Sequence, residues 1–121
     1  MIKNFLAVGA GGAIGAMLRY GVTVLGAHLH WTSNLSTFLV NVIGSFVMGL
    51  LVSSCEQGTW LLMATVGIFG GFTTFSTFSM QSVTLLQQGK WGTAALYILG
   101  TLIICILMAW LGCIIGPKLI K

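Results

Sequence analysis

The sequence predicts an all-α membrane protein: four transmembrane helices per subunit with a broken third helix, assembling as an antiparallel, dual-topology dimer. Three observations predict the broken four-helix architecture, and a near-even Lys/Arg balance between the two sides adds the dual-topology pairing. Only 5% of the 121 residues are charged and 57% are hydrophobic, whereas soluble domains carry about 25% charged residues. Charge-poor stretches recur at the length of a bilayer-crossing helix, about 20 predominantly apolar residues. The third stretch carries Gly70-Gly71 followed by a run of hydroxyls and phenylalanines that a plain anchor does not need.

The chain reads as a single four-helix membrane domain, 1–121, with spans near 4–25, 35–54, 59–86 and 93–115. The connections at 26–34, 55–58 and 87–92 are short and hold the turn-forming and polar residues. Arg19 lies late in the first span. A signal peptide would carry its positive charge before the apolar run, so this segment reads as a mature helix. Asn41 sits centrally in the second span. In hydrocarbon its amide wants partners, because an unpaired polar group there is costly. It can serve an interhelical bond or donate to an anion.

The third span is the centre of the reading. Gly70-Gly71 weakens the helix and frees carbonyls, and irregular backbone at membrane depth is tolerated only where it is buried in protein or lines a cavity. Phe69, Phe72, Phe75 and Phe78 recur every three residues, with Thr73, Thr74, Ser76, Thr77 and Ser79 among them. At helical spacing Phe75 and Phe78 point in similar directions. A phenyl ring has a positive edge, so such a row either packs or meets an anion edge-on. The fourth span offers Thr101 and Cys105, four apart on one face.

Charge placement leaves orientation weakly specified. Four spans put both termini and the central loop on one side with Lys3, Lys118 and Lys121, against Arg19 and Lys90 on the other. The Lys/Arg asymmetry that sets topology is therefore slight, and insertion in both orientations with antiparallel pairing follows. Small residues four apart recur at Gly11/Gly15, Gly12/Ala16, Ser45/Gly49 and Gly67/Gly71. Such pairs let helices approach closely, within a chain or between chains. The net charge of +4 is scattered rather than gathered in a patch, which argues against nucleic acid. Cys55, Cys105 and Cys113 form no CxxC pair and read as free, small apolar residues.

The chemical inventory excludes whole classes. Glu56 is the one carboxylate side chain and lies in a loop, as do His28 and His30. No nucleophile–base pair, metal-ligand cluster or phosphate loop is present, so the chain is not an enzyme. Proton-coupled transporters typically carry intramembrane ionisable groups, which disfavours a coupled exchanger. Arg19 is the one charge within a span. It is either functional, as a cation that concentrates anions at an entrance, or snorkels to the headgroups.

The motifs resemble the Fluc/CrcB family of bacterial fluoride channels. The resemblance covers essentially the whole chain and rests on 11–20 (Gly-Gly-Ala-Ile-Gly-Ala-Met-Leu-Arg-Tyr), 37–44 (Thr-Phe-Leu-Val-Asn-Val-Ile-Gly) and 67–78 (Gly-Ile-Phe-Gly-Gly-Phe-Thr-Thr-Phe-Ser-Thr-Phe). It implies an antiparallel homodimer in the lipid bilayer of the bacterial inner membrane, with two pores along the subunit interface. Phe75 and Phe78 would meet fluoride at their ring edges, Asn41 would coordinate the ion or hold the aromatic pair, Ser76 and Thr77 would join the polar track, and Arg19 would sit near the vestibule. It also implies one structural, non-transported sodium ion on the two-fold axis, held by the backbone carbonyls of Gly70 and Thr73. Two departures stand out: Gln81 where the family often has glutamate, and Ala109 where many members carry a fourth-span hydroxyl. The expected function is passive fluoride export. The alternatives are a small dual-topology exporter of hydrophobic cations, which would want an intramembrane carboxylate, and a non-transporting membrane-assembly subunit.

Overall fold

The structure is a computed structural model that describes residues 1–54, 56 and 58–120. The expectations for Cys55 and Lys121 lie outside the described residues. Four helical rods are long and apolar enough to cross a bilayer: Ile2–His28, Ser33–Ser54, Thr59–Gln87 and Trp91–Leu119.

The first rod is α1 (Ile2–His28) and the second α2 (Ser33–Ser54). Each begins two residues before the expected starts at 4 and 35. α1 closes with His30 in the left-handed region, φ 62°. There its N–H donates to the Ala27 carbonyl at 3.2 Å, and Trp31 N–H donates to the Gly26 carbonyl at 2.7 Å. This is the Schellman pattern, which satisfies carbonyls that the helix end would leave bare.

The third rod is segmented. It comprises α3 (Thr59–Leu62), a π-helical stretch (Met63–Phe69), α4 (Gly70–Phe72) and α5 (Phe75–Gln87). In the π-helical stretch the Thr65 hydroxyl donates to the Leu61 carbonyl at 2.7 Å, and so competes for a main-chain acceptor. The break between α4 and α5 falls at Thr73 (φ −79°, ψ 157°) and Thr74 (φ −148°, ψ 123°). It lies downstream of Gly70-Gly71, both of which are helical, so the glycine pair does not itself break the helix. α5 starts with Thr74 as its N-cap: the hydroxyl accepts from Thr77 N–H at 3.3 Å, one of the orphan donors that a cap satisfies. It ends in a second Schellman turn at Gly89, φ 77°, with Lys90 N–H on the Leu85 carbonyl at 3.0 Å.

The fourth rod, α6 (Trp91–Ile120), runs past the expected end at residue 115 and includes Pro117. A proline this close to a terminus removes one bond of the last turn rather than kinking a helix interior. Lys118 in that turn suits the negative end of the helix dipole.

The rods pack as two close pairs, α1 on the first half of the third rod and α2 on α6, with α5 leaning on α6 and α2. Glycine makes both contacts possible. A Cβ on Gly71 would come 2.7 Å from the Gly12 carbonyl oxygen, and one on Gly67 would come 2.9 Å from that of Val8. Gly11 and Gly15 face the backbone of Met63, Ile68 and Phe72, and Gly49 faces Ala109 and Cys113. The small-residue pairs noted above thus serve packing inside the chain. Gly70 has no comparable obstruction.

Candidate functional site

A cavity of about 320 Å³ opens beside the break, lined from α2 by Asn41, Ser45 and Met48, from the third rod by Thr73, Thr74, Phe75 and Phe78, and from α6 by Thr101 and Cys105. Its wall is largely apolar, with a few convergent polar groups, the usual make-up of a ligand site.

Asn41 organises this wall. Its Nδ2 donates to the Thr74 carbonyl at 3.0 Å, while its Oδ1 accepts from Thr74 N–H at 2.8 Å. One side-chain amide thereby satisfies both main-chain groups of the most extended residue in the break, and the pattern fixes the amide's orientation. Its second N–H is not used by that pair.

The pair has a consequence for the carbonyls upstream. In an unbroken α-helix the Gly70 carbonyl would accept from Thr74 N–H, which here goes to Asn41. The Thr73 carbonyl would accept from Thr77 N–H, which goes to the Thr74 hydroxyl. Both carbonyls have lost their helical donors. Phe69 and Gly71 have not been left so: Thr73 N–H and hydroxyl donate to the Phe69 carbonyl at 3.0 and 2.9 Å, and Arg19 Nε donates to the Gly71 carbonyl at 3.1 Å.

Arg19 is therefore turned toward the third rod, half-buried against the C-terminal end of α4. A guanidinium there complements the helix dipole. It lies apart from the residues that line the cavity. Ser76 and Thr77 also stand away from the cavity lining; their hydroxyls gather about Thr74 Oγ1 at 3.5 and 3.2 Å.

The phenylalanine row is split by the break. Phe69 and Phe72 meet edge-to-face at 6.2 Å, whereas Phe75 and Phe78 lie 5.6 Å apart at 55°. Phe78 is 4% exposed and Phe75 70%. Phe78 also packs on Tyr97, centroids 5.2 Å apart. The Tyr97 hydroxyl donates to Gln81 Oε1 at 2.7 Å, so Gln81 is anchored to α6 without a carboxylate. Sequence reading passed over Tyr97. The signal was there: Tyr97, Thr101 and Cys105 follow at four-residue steps on one face of α6.

Thr101 belongs to two cavities. It is 4% exposed and its hydroxyl has no partner among the described residues. A buried hydroxyl without a partner calls for an explanation such as water or an ion. Beyond it lies a wider basin of about 710 Å³, lined among others by Thr32, Asn34, Lys90, Thr93 and Tyr97. Polar groups thus run from a lysine near the α6 N-terminus, past Thr101, to the Asn41–Thr74 pair.

Residues 6–113 match the family described as CrcB-like protein, Camphor Resistance (CrcB). The chain is 42% identical over 118 residues to fluoride-specific ion channel FluC 1 of Listeria monocytogenes, covering 96% of this chain and 99% of the relative. It is 40% identical over 128 residues to fluoride-specific ion channel FluC of Thermus thermophilus, covering 98% of each. It is 42% identical over 116 residues to FluC of Shewanella amazonensis, covering 92% of this chain and 94% of the relative. A family match over residues 6–113, joined to relatives about two-fifths identical along nearly the whole chain, leads to one conclusion: this protein belongs to the CrcB/FluC family.

Proposed function

We propose that the protein is a fluoride-selective channel, a multi-pass protein of the bacterial inner membrane that lowers cytoplasmic fluoride by passive export. The observation that carries this reading is identity of about two residues in five, along nearly the full chain, to proteins named as fluoride-specific channels. The cavity supports it. Its donors are an amide N–H and hydroxyls, and Phe75 and Phe78 add ring edges, so an anion can be stabilised without a fixed charge that would bind it too tightly to release. Fluoride enters cells as neutral HF and dissociates at cytoplasmic pH, so a leak for the anion suffices.

The working unit in this proposal is an antiparallel dual-topology homodimer. Phe75 is exposed beside a cavity that is open on one side, and the balance of Lys and Arg favours neither orientation. A second copy would cover that open side and complete a pore wall, with Ser76 and Thr77 as further hydroxyls and Arg19 supporting the break. A sodium ion fits the same assembly. Hard cations take oxygen ligands, and the Gly70 and Thr73 carbonyls, deprived of their helical donors, supply two from each subunit. Bound there, the ion would satisfy those carbonyls and tie the two breaks together.

The test is fluoride efflux from liposomes holding the purified protein, with chloride as control. Selective fluoride flux is expected. No flux, or equal chloride flux, would overturn the reading.

A further inference from the structure

We propose that Cys105 makes the cavity a site for a soft metal ion, mercury(II), and that metal bound there closes the path. The proposal rests on the reading of the cavity as part of the permeation route.

Cysteine in a membrane helix is ordinarily an inert apolar filler. Cys105 differs in its surroundings. It lines the cavity from α6 while Met48 lines it from α2, so a thiol and a thioether from opposite helices share one space. Ser45, one helical turn from Met48, lines the same cavity. One turn back along α6, Thr101, whose hydroxyl is buried and has no partner among the described residues, lines the same cavity. Soft sulfur ligands select soft metals over the hard cations of the cytoplasm. Cys113, by contrast, is exposed and does not line the cavity.

Mercury(II) chloride is neutral, so it meets no charge barrier and need only reach the open mouth of the cavity, not traverse the path. In the reaction, Cys105 Sγ displaces one chloride: an S–Hg bond forms, an Hg–Cl bond breaks, chloride leaves and the thiol proton passes to water. No oxidation state changes. The Met48 thioether, from the facing helix of the same cavity, is the soft donor that would add a weaker bond to the metal. The product occupies space walled by Phe75 and Phe78 and removes the route for the anion.

The test uses the full chain in liposomes, as the double variant C55S/C113S in which Cys105 is the remaining thiol. Elemental analysis should find one mercury per chain, fluoride efflux should fall to the protein-free leak, and excess dithiothreitol should restore it. The variant C55S/C105S/C113S should bind no mercury, and mercury should not change its own rate. M48L in the double variant should lose mercury to dithiothreitol faster. Failure of the double variant to bind mercury, or inhibition of the thiol-free variant, would overturn the site. Mercury bound with efflux unchanged would overturn closure and take the cavity off the path. Absence of efflux before mercury is added would instead count against the channel reading itself.

Discussion

Asn41 holds Thr74 from both sides of its backbone, donating to its carbonyl at 3.0 Å and accepting from its N–H at 2.8 Å. This relationship gives the helix break a defined shape. It also diverts the donor that the Gly70 carbonyl would otherwise receive, so one side chain shapes the cavity wall and frees one of the two carbonyls proposed to hold sodium. Asn41→Asp keeps the acceptor oxygen and loses the donor, leaving the Thr74 carbonyl facing a carboxylate. A buried polar group stripped of its partner costs about 1–3 kcal/mol. N41D should therefore lower the thermal midpoint and abolish fluoride efflux; a wild-type midpoint would show that the pair contributes little.

The aromatic pair separates transport from assembly. Phe78 is buried between Phe75 and Tyr97, and isoleucine fills much of the volume without supplying a ring edge. F75I and F78I should each lose fluoride efflux while eluting from a sizing column like the wild type. The exposed Phe75 should tolerate its change with little loss of stability. Normal conduction by either variant would end the ring-edge account.

Gly71 and Gly9 offer a paired test of the helix seam. A methyl group at Gly71 meets the Gly12 carbonyl oxygen at 2.7 Å, whereas Gly9 has nothing within 4 Å. Overpacking a close contact costs about 1–3 kcal/mol, while alanine in an exposed helix position favours the helix by about 1 kcal/mol over glycine. G71A should thus lower the melting temperature in detergent and G9A should hold or raise it.

Arg19 donates to the Gly71 carbonyl through Nε. Lysine keeps the charge but not that planar donor. If the arginine acts by bracing the break, R19K should lower flux and stability together. If it acts only through charge, R19K should behave as wild type and R19Q should lose flux most at low ionic strength, where charge is least screened.

Exchange of sodium for N-methyl-D-glucamine during purification tests the carbonyl site. Loss of sodium should loosen the proposed dimer and halt efflux, with recovery when sodium returns. A dimer that stays intact and conducts after exhaustive exchange would remove the ion from the proposal.

Composition and spacing alone determined the bilayer as solvent, the four spans, the interruption of the third and the residues around it. The reason is that hydrocarbon leaves few alternatives: apolar length and missing charge are properties of a sequence, legible one residue at a time. The partners of each polar group were not legible. Gly70-Gly71 read as the break because glycine weakens a helix, yet its neighbours are what matter: Gly71 lies against α1, and the chain turns at Thr73 and Thr74, where Asn41 supplies the bonds that a helix would have supplied. Arg19 read equally well as a snorkelling anchor or a functional cation, and its Nε bond at 3.1 Å to a carbonyl 52 residues away was not legible in the sequence. The place of Tyr97 against Phe78 likewise depended on how α6 sits on α5. Satisfying buried donors and acceptors depends on distances across helices, and only the tertiary structure decides those.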